Sequence, residues 1–296
     1  MPYMRPKRNT DVYAVILVGG KGKRLRPLST DKLPKAFLSV TGNRKTMFRN
    51  TLDGLLKLVS AERIVVVANK AHSGLVRKDL PGASRKNIIL EPVSRNTAPA
   101  IALAGRHIMR RDGDAAVVVL PTDQYVPDSD RQLKAIKKGI DFVIDNDDVI
   151  VVIGLKPKHA STEYGYIKTA KPGTILKVDS FTEKPDLKTA IRYLAGGRHL
   201  WNSGIFIFKA RTILSAIRKY APKIYKELSN ENINASYGNM PDVSIDYAVM
   251  EKADNIYCVK GSYEWNDLGS FDALEKVLKI ESRRFIKTDG KIVKIL

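Results

Sequence analysis

An α/β fold built on a Rossmann-like, mixed but mostly parallel sheet flanked by helices is predicted by three observations on this 296-residue chain. Apolar, β-branched runs alternate with helix-like stretches through the first half. The opening run, Val12 to Val18, passes straight into Gly19-Gly20-Lys21-Gly22. After about residue 160 the pattern shifts to shorter strands and helices, which predicts a smaller second sublobe laid against the first.

The elements follow in order. Seven consecutive apolar residues from Val12 predict a strand buried on both faces. Further strands are predicted over 64–68, 87–90, 115–120 and 149–155, with helices near 46–59, 97–111 and 130–145. Thr97 before Ala98-Pro99 marks a helix start, since proline in a first turn forfeits no needed N–H. Strands over 164–169, 175–181 and 205–208 complete the second sublobe. The boundaries expected are one catalytic unit over 1–281, divided near residue 155, and a short tail over 282–296.

Hydrophobic content of 44% and charged content of 28% suit a globular protein with a large core. No apolar run approaches the roughly 18 residues of a membrane helix, and no leader follows the basic N-terminus, so no membrane is expected. The single cysteine, Cys258, excludes an intramolecular disulfide and a cysteine-rich metal site, and a reducing cytoplasm is the expected compartment. The net charge of +20 invites a polyanionic partner. Its lysines and arginines are scattered, however, and no nucleic-acid motif accompanies them, so a small anionic substrate is expected and no nucleic acid.

The glycine loop is the first chemistry-bearing feature. Glycines let the backbone turn sharply and bring N–H groups to a phosphate, and Arg24 and Lys35 add charge beside it. The loop is neither a Walker A sequence, because Arg24 follows Lys23, nor a dinucleotide fingerprint, because Leu25 stands where its third glycine belongs. An ordinary glycine-rich turn would read the same way in isolation. Asp123, in Leu120-Pro121-Thr122-Asp123, falls just past the carboxyl end of a buried strand, where open α/β sheets collect ligands. A carboxylate there suits Mg²⁺ and equally suits a helix cap. Asp267 in Glu264-Trp265-Asn266-Asp267-Leu268-Gly269 carries the same two readings. Glu183-Lys184-Pro185 offers a cation at a strand end, and Trp201-Asn202-Ser203-Gly204, expected just before a strand, offers neutral groups of the kind that read sugar hydroxyls. The polar turn Glu91 to Ala100 leads into a helix. His72, His107, His159 and His199 lack metal-ligand spacing and are expected to be structural or superficial.

Taken in order, the segments LVGGKGKRLRPLS, LPKAFL, EPVSRNTAPAIALA, VVLPTDQYV, EYGYIK, FTEKPDLKTAIRYLAGGRHLWNSGIFIF, SIDYAVMEK and WNDLGSFDAL resemble the sugar-1-phosphate nucleotidyltransferases, especially their guanylyl, mannose-using branch. The resemblance implies a nucleotide-diphospho-sugar transferase fold. It also implies GMP transfer from GTP to mannose 1-phosphate, with Mg²⁺ as cofactor. It places Gly19, Gly20, Gly22 and Arg24 on the triphosphate with Lys35 beside them, and Glu91, Asn96 and Thr97 near base or ribose. It assigns Asp123 and Asp267 to the metal, and Gly165, Glu183, Lys184 and Asn202 to the sugar phosphate. Arg24, Lys35, Asp123, Lys184 and Asp267 form the expected catalytic set. Arg26 stands where the family usually has Trp, and Gln124 where it commonly has His. The chain stops short of the β-helix or isomerase domain that many relatives carry, which leaves a homodimer as an open question. The same reaction on glucose 1-phosphate with UTP or dTTP stays open on sequence alone, as does a non-catalytic regulatory subunit that binds nucleotide sugars.

Overall fold

In a computed structural model, residues 10–20, 22–40, 44–80, 85–170, 173–280, 285–288 and 291–294 are described. Lys21, the basic N-terminus over 1–9 and parts of the 282–296 tail lie outside them. Nine strands form one sheet in the order β3-β2-β1-β4-β8-β5-β9-β7-β6. These are β1 (Val12–Val18), β2 (Ile64–Asn69), β3 (Ile88–Glu91), β4 (Ala116–Pro121), β5 (Ile150–Leu155), β6 (Tyr166–Thr169), β7 (Ile175–Thr182), β8 (His199–Lys209) and β9 (Ile256–Gly261). The first four pair in parallel, as do β5 and β9, whereas β8 runs antiparallel between β4 and β5. Strands from both predicted sublobes therefore share one sheet. The described part of the tail is a hairpin of β10 (Phe285–Thr288) and β11 (Lys291–Lys294).

The unbroken apolar run of β1 has a simple cause. Tyr13 and Val15 point into the core on one face, and Ala14, Ile16 and Val18 into the core on the other. The first face is covered by α3 (Thr97–Met109), α6 (Ala210–Tyr220) and α7 (Pro222–Leu228). The second is covered by α1 (Met47–Leu55), α2 (Ser73–Asp79) and α4 (Ser129–Asp145). Burying a side chain such as Ile16 or Phe48 contributes about 1.5–3 kcal/mol each, so both helical layers are firmly held. Helix α5 (Leu187–Gly196) lies between β7 and β8. The four-residue α8 (Ile233–Ser236) follows α7, and α9 (Phe271–Ile280) follows the Asp267 loop.

One expectation needs correction. Trp201-Asn202-Ser203-Gly204 does not precede the strand ending at Phe208 but lies inside it, because β8 starts at His199. Leu200 and Trp201 pair with Ile167 and Tyr166 of β6, while Phe206 and Ile207 pair with Val152 and Val151 of β5. Trp201 and Asn202 also pair with Leu155 and Gly154 of β5; within that ladder the register shifts between Asn202 and Phe206, and Gly204 takes φ +73°. Such a bulge breaks the two-residue period that marks a strand, so the strand's first half is hidden from the sequence pattern.

Direction decides where the site sits. The carboxyl ends of β1, β2, β3 and β4 share one edge, as do those of β5 and β9. Because β8 is antiparallel to β4, its amino-terminal half, with Asn202, reaches that same edge.

Candidate active site

Three groups of predicted residues line this edge. The first is built around Lys35, which lies in a single 3-10 turn (Lys35–Phe37) after Pro34 and is only 6% exposed. Its ammonium donates to Asp123 Oδ2 at 3.1 Å and to the main-chain oxygen of Asp267. Two loops far apart in the chain thus meet at one ammonium, one through the Asp123 carboxylate and the other through the Asp267 carbonyl. A two-way main-chain bridge between Tyr125 and Asn266, at 2.8 and 3.0 Å, zips their loops together. Tyr164 donates its hydroxyl to Asp267 Oδ1 at 3.0 Å; burial, reinforced by that carboxylate, pushes the phenol well above its ordinary range. Arg24 pairs with Glu163, and a Cβ on Gly269 would stand 3.1 Å from Arg24 Nη2 and 2.6 Å from Asp267 Oδ2. Arg24 and Asp267 therefore share one small space.

The glycine loop stands beside this group. Gly19 and Gly20 are exposed, Gly20 at φ +87°. Gly22, at φ +56°, accepts at its carbonyl from Leu25 N and from Ser29 Oγ. A Cβ at Gly22 would meet Ser29 Oγ at 2.9 Å and Lys35 Cβ at 3.0 Å. Gly22→Ala is therefore expected to displace Lys35 and to lower the melting temperature. A melting curve of the variant checks this; an unaltered midpoint would show that the loop accommodates a side chain there.

The second group gathers Gly165, Glu183, Lys184 and Asn202. Asn202 N donates to Gly165 O at 2.8 Å, and a Cβ on Gly165 would lie 2.5 Å from Glu183 Oε2, so only glycine admits that carboxylate. Lys184 Nζ bonds Glu183 Oε1 at 2.7 Å. The third group, Glu91, Asn96 and Thr97, is stitched to the segment after α8. Buried Glu91 accepts from the Tyr237 hydroxyl, and burial raises its carboxyl despite that bond. Asn96 caps α3, and Thr97 Oγ1 accepts from Ile245 N at 2.8 Å. Non-glycine residues with positive φ include Asn96 (65°), Lys184 (44°) and Leu268 (47°), one in each of these regions. Lys184 even precedes a proline, where that conformation is disfavoured, and strain of this kind collects at functional sites.

Sequence reasoning missed four participants. Glu163 and Tyr164 position Arg24 and Asp267. Glu251 accepts from Glu183 N at 2.9 Å, and Asp246 accepts from Asn202 Nδ2 at 3.0 Å. Asp246 opens a π-helical turn (Asp246–Met250), a local insertion frequent at functional sites. Nothing in the run SIDYAVMEK separates such a turn from an ordinary helix. Two of the histidines are engaged in ring packing: His159 packs edge-on against Trp201, and His199 stacks on Tyr193.

Burial, with Glu183 adding to it, pushes the Asp246 carboxyl up to about 7, against the counter-pull of Lys184 and Ser244. Unfolded, the same acid titrates at 3.8. Between these values the native state holds the extra proton, so stability falls as pH rises from about 4 to about 7. Asp246→Asn, neutral throughout, is expected to raise the melting temperature more at pH 8 than at pH 5. Equal shifts at both pH values would show that Asp246 carries no such charge penalty.

The donor set fits Mg²⁺. The carboxylates of Asp123 and Asp267, on two loops joined through Lys35, are hard oxygens of the kind that ion takes, and among the described residues no cluster of three or more acidic, His or Cys side chains forms a full protein cage. Magnesium takes one or two carboxylates and leaves its other positions to water and substrate phosphates. A separate cavity of about 380 Å³ between α1 and α4 is lined by residues such as Lys45, Asn50, Asp53, Gln124 and Gln132, and none of the predicted site residues lines it. Among the described residues no helix is long and apolar enough to cross a membrane.

Comparison with known proteins shows the family and the fold. A model of the nucleotidyl transferase family matches residues 13–283. Mannose-1-phosphate guanylyltransferase RfbM of Salmonella typhimurium is 37% identical over 294 aligned positions, covering 93% of this chain and 60% of that protein. The alginate biosynthesis protein AlgA of Pseudomonas fluorescens is 36% identical over 282 positions, 88% of this chain and 57% of its own length. The chain thus spans about 60% of the curated relatives it matches. A solved structure described as mannose-1-phosphate geranyltransferase from Thermus thermophilus superposes with a TM-score of 0.84 at 33% identity, covering 91% of this chain and 79% of that one. A UDP-glucose pyrophosphorylase complexed with UDP-glucose, at 15% identity and TM-score 0.61 over 92% of this chain and 99% of that one, shares the fold.

Proposed function

The chain belongs to the nucleotidyl transferase family, and we propose that it transfers GMP from GTP to mannose 1-phosphate, releasing pyrophosphate and GDP-mannose. The observation that carries this reading is the meeting of the Asp123 carboxylate and the Asp267 carbonyl at buried Lys35, with Arg24 next to Asp267 and an exposed glycine loop beside them. The names of RfbM and of the Thermus structure support mannose 1-phosphate as acceptor, and RfbM supports the guanylyl donor.

The reaction forms one P–O bond and breaks another. A non-bridging oxygen of mannose 1-phosphate attacks the α-phosphorus of GTP, and the bond from the α-phosphorus to the bridging oxygen breaks, its electron pair leaving on pyrophosphate. A phosphomonoester with a second pKa near 6 is mostly dianionic at neutral pH, so the attacking oxygen needs no strong base. The chain supplies position and charge instead. Exposed Gly19 and Gly20 leave their loop open to the triphosphate, and Arg24 and Lys35 face its growing negative charge. Lys184, held by Glu183 at the other end of the edge, orients the sugar phosphate. Asp123 and Asp267 would hold Mg²⁺, which when bound neutralises phosphate oxygens and braces the leaving pyrophosphate.

Mannose 1-phosphate labelled with heavy oxygen on its phosphoryl group, incubated with GTP and MgCl₂, tests the reaction. All label is expected in GDP-mannose and none in pyrophosphate. Label in pyrophosphate, or the absence of GDP-mannose, would overturn the proposal.

A further inference from the structure

We propose that Asp246 is a specificity-determining residue of the sugar pocket, accepting a ring hydroxyl of the sugar 1-phosphate beside Glu183. This rests on the reading of the Glu183–Lys184–Asn202 end of the edge as the sugar-phosphate pocket.

The hydrogen bonds around Asn202 carry the argument. Its amide would ordinarily be the group that reads a sugar, yet it is held at both ends. Oδ1 accepts from Gly204 N at 3.0 Å, and Nδ2 donates to Asp246 Oδ1 at 3.0 Å. Asn202 therefore acts as a strut, with at most one N–H remaining for a ligand. The carboxyl group it steadies has a second oxygen, and above about pH 7, where it is ionised, it is an acceptor only and takes sugar hydroxyls well.

Charge points the same way. Glu183 and Asp246 sit near a single ammonium, that of Lys184, and Glu251 adds a third acid at Glu183 N. Crowding carboxylates around one cation in a half-buried niche opposes folding. Ring hydroxyls would relieve that crowding by donating into it.

The backbone holds Asp246 where such contact is made. Its π-helical turn is pinned from the nucleotide side, with Ile245 N on Thr97 Oγ1 at 2.8 Å and Ala98 N on Val243 O at 3.2 Å. The next residue, Tyr247, is 45% exposed, so the turn stands at a surface that solvent reaches. Asp246 and Glu183 thus approach one ligand from different elements, which lets the pocket register two hydroxyl positions on one ring.

The test compares wild type, Asp246→Asn and Ser244→Ala with GTP and each of two epimers, mannose 1-phosphate and glucose 1-phosphate. Asp246→Asn is expected to lower kcat/KM for the sugar that wild type prefers by about tenfold to a hundredfold. It should leave the KM for GTP unchanged and narrow the ratio between epimers. Ser244→Ala, which removes a hydroxyl bonded to Asp246 while keeping the carboxylate, should shift the ratio the same way by less, and it decides the matter if Asp246→Asn does not melt cooperatively. An equal loss for both epimers, or an unchanged ratio, overturns the proposal. A wild type that prefers glucose 1-phosphate corrects the acceptor but leaves this test intact, because the ratio is still read. A wild type silent with every sugar 1-phosphate overturns the underlying reading of the site before any variant is made.

Discussion

Replacing Asp123 by Asn is expected to lower kcat by about 10²–10³-fold, the usual loss when one preorganised charge facing a transition state is removed. The substitution keeps an oxygen that accepts from Lys35 Nζ, now at 3.1 Å, and the side chain is 35% exposed, so little packing changes. The melting temperature should stay close to that of wild type, while the MgCl₂ concentration needed for half-maximal turnover rises. On the proposed reading, what is lost is negative charge at the point where Mg²⁺ and the phosphates would meet, not structure. Steady-state kinetics across a magnesium series, beside a melting curve, checks this. Near-normal turnover in a folded variant would detach Asp123 from the metal.

The second large effect is expected for Lys35→Met, and it differs in kind. Lys35 is buried and bonds two groups from distant parts of the chain, the Asp123 carboxylate and the Asp267 carbonyl. Methionine fills much of the volume but leaves both acceptors without their donor. A charged hydrogen bond lost at a buried position costs about 1–3 kcal/mol, reduced here because Asp123 is partly screened by solvent. The melting temperature should therefore fall together with kcat, and added MgCl₂ should restore neither fully. A variant of wild-type stability and activity would mean that the junction of the two acid loops is incidental. Together the two substitutions separate the charge that the chemistry needs from the bond that assembles the site.

The sequence makes much of this legible for physical reasons. A parallel strand buried on both faces must be apolar throughout, so Val12–Val18 and Ala116–Pro121 stand out, and the residues that follow them land on the ligand-binding edge. That is why Gly19, Gly20 and Asp123 are legible as candidates in the sequence alone. Asp267 was visible as a carboxylate in a turn, but its meeting with Asp123 depends on a bridge between Tyr125 and Asn266 that no periodicity encodes. The bulge at Gly204 concealed half of β8 and the true setting of Asn202. Glu163, Tyr164, Glu251 and Asp246 carry no mark in the sequence pattern, because each acts through space on a residue far from it in the chain. The π-helical turn at Asp246 has no local sequence mark at all. Long-range pairings of this kind are fixed by topology, and only the assembled sheet reveals them.

The central claim is that this edge couples a guanosine nucleotide to mannose 1-phosphate. Pyrophosphate release with MgCl₂, measured over a grid of nucleoside triphosphates against sugar 1-phosphates, tests it most directly. A clear maximum at GTP with mannose 1-phosphate is the predicted result. A maximum at UTP or dTTP with glucose 1-phosphate would contradict the assigned substrates, and silence across the grid from folded protein that still binds GTP would contradict catalysis itself.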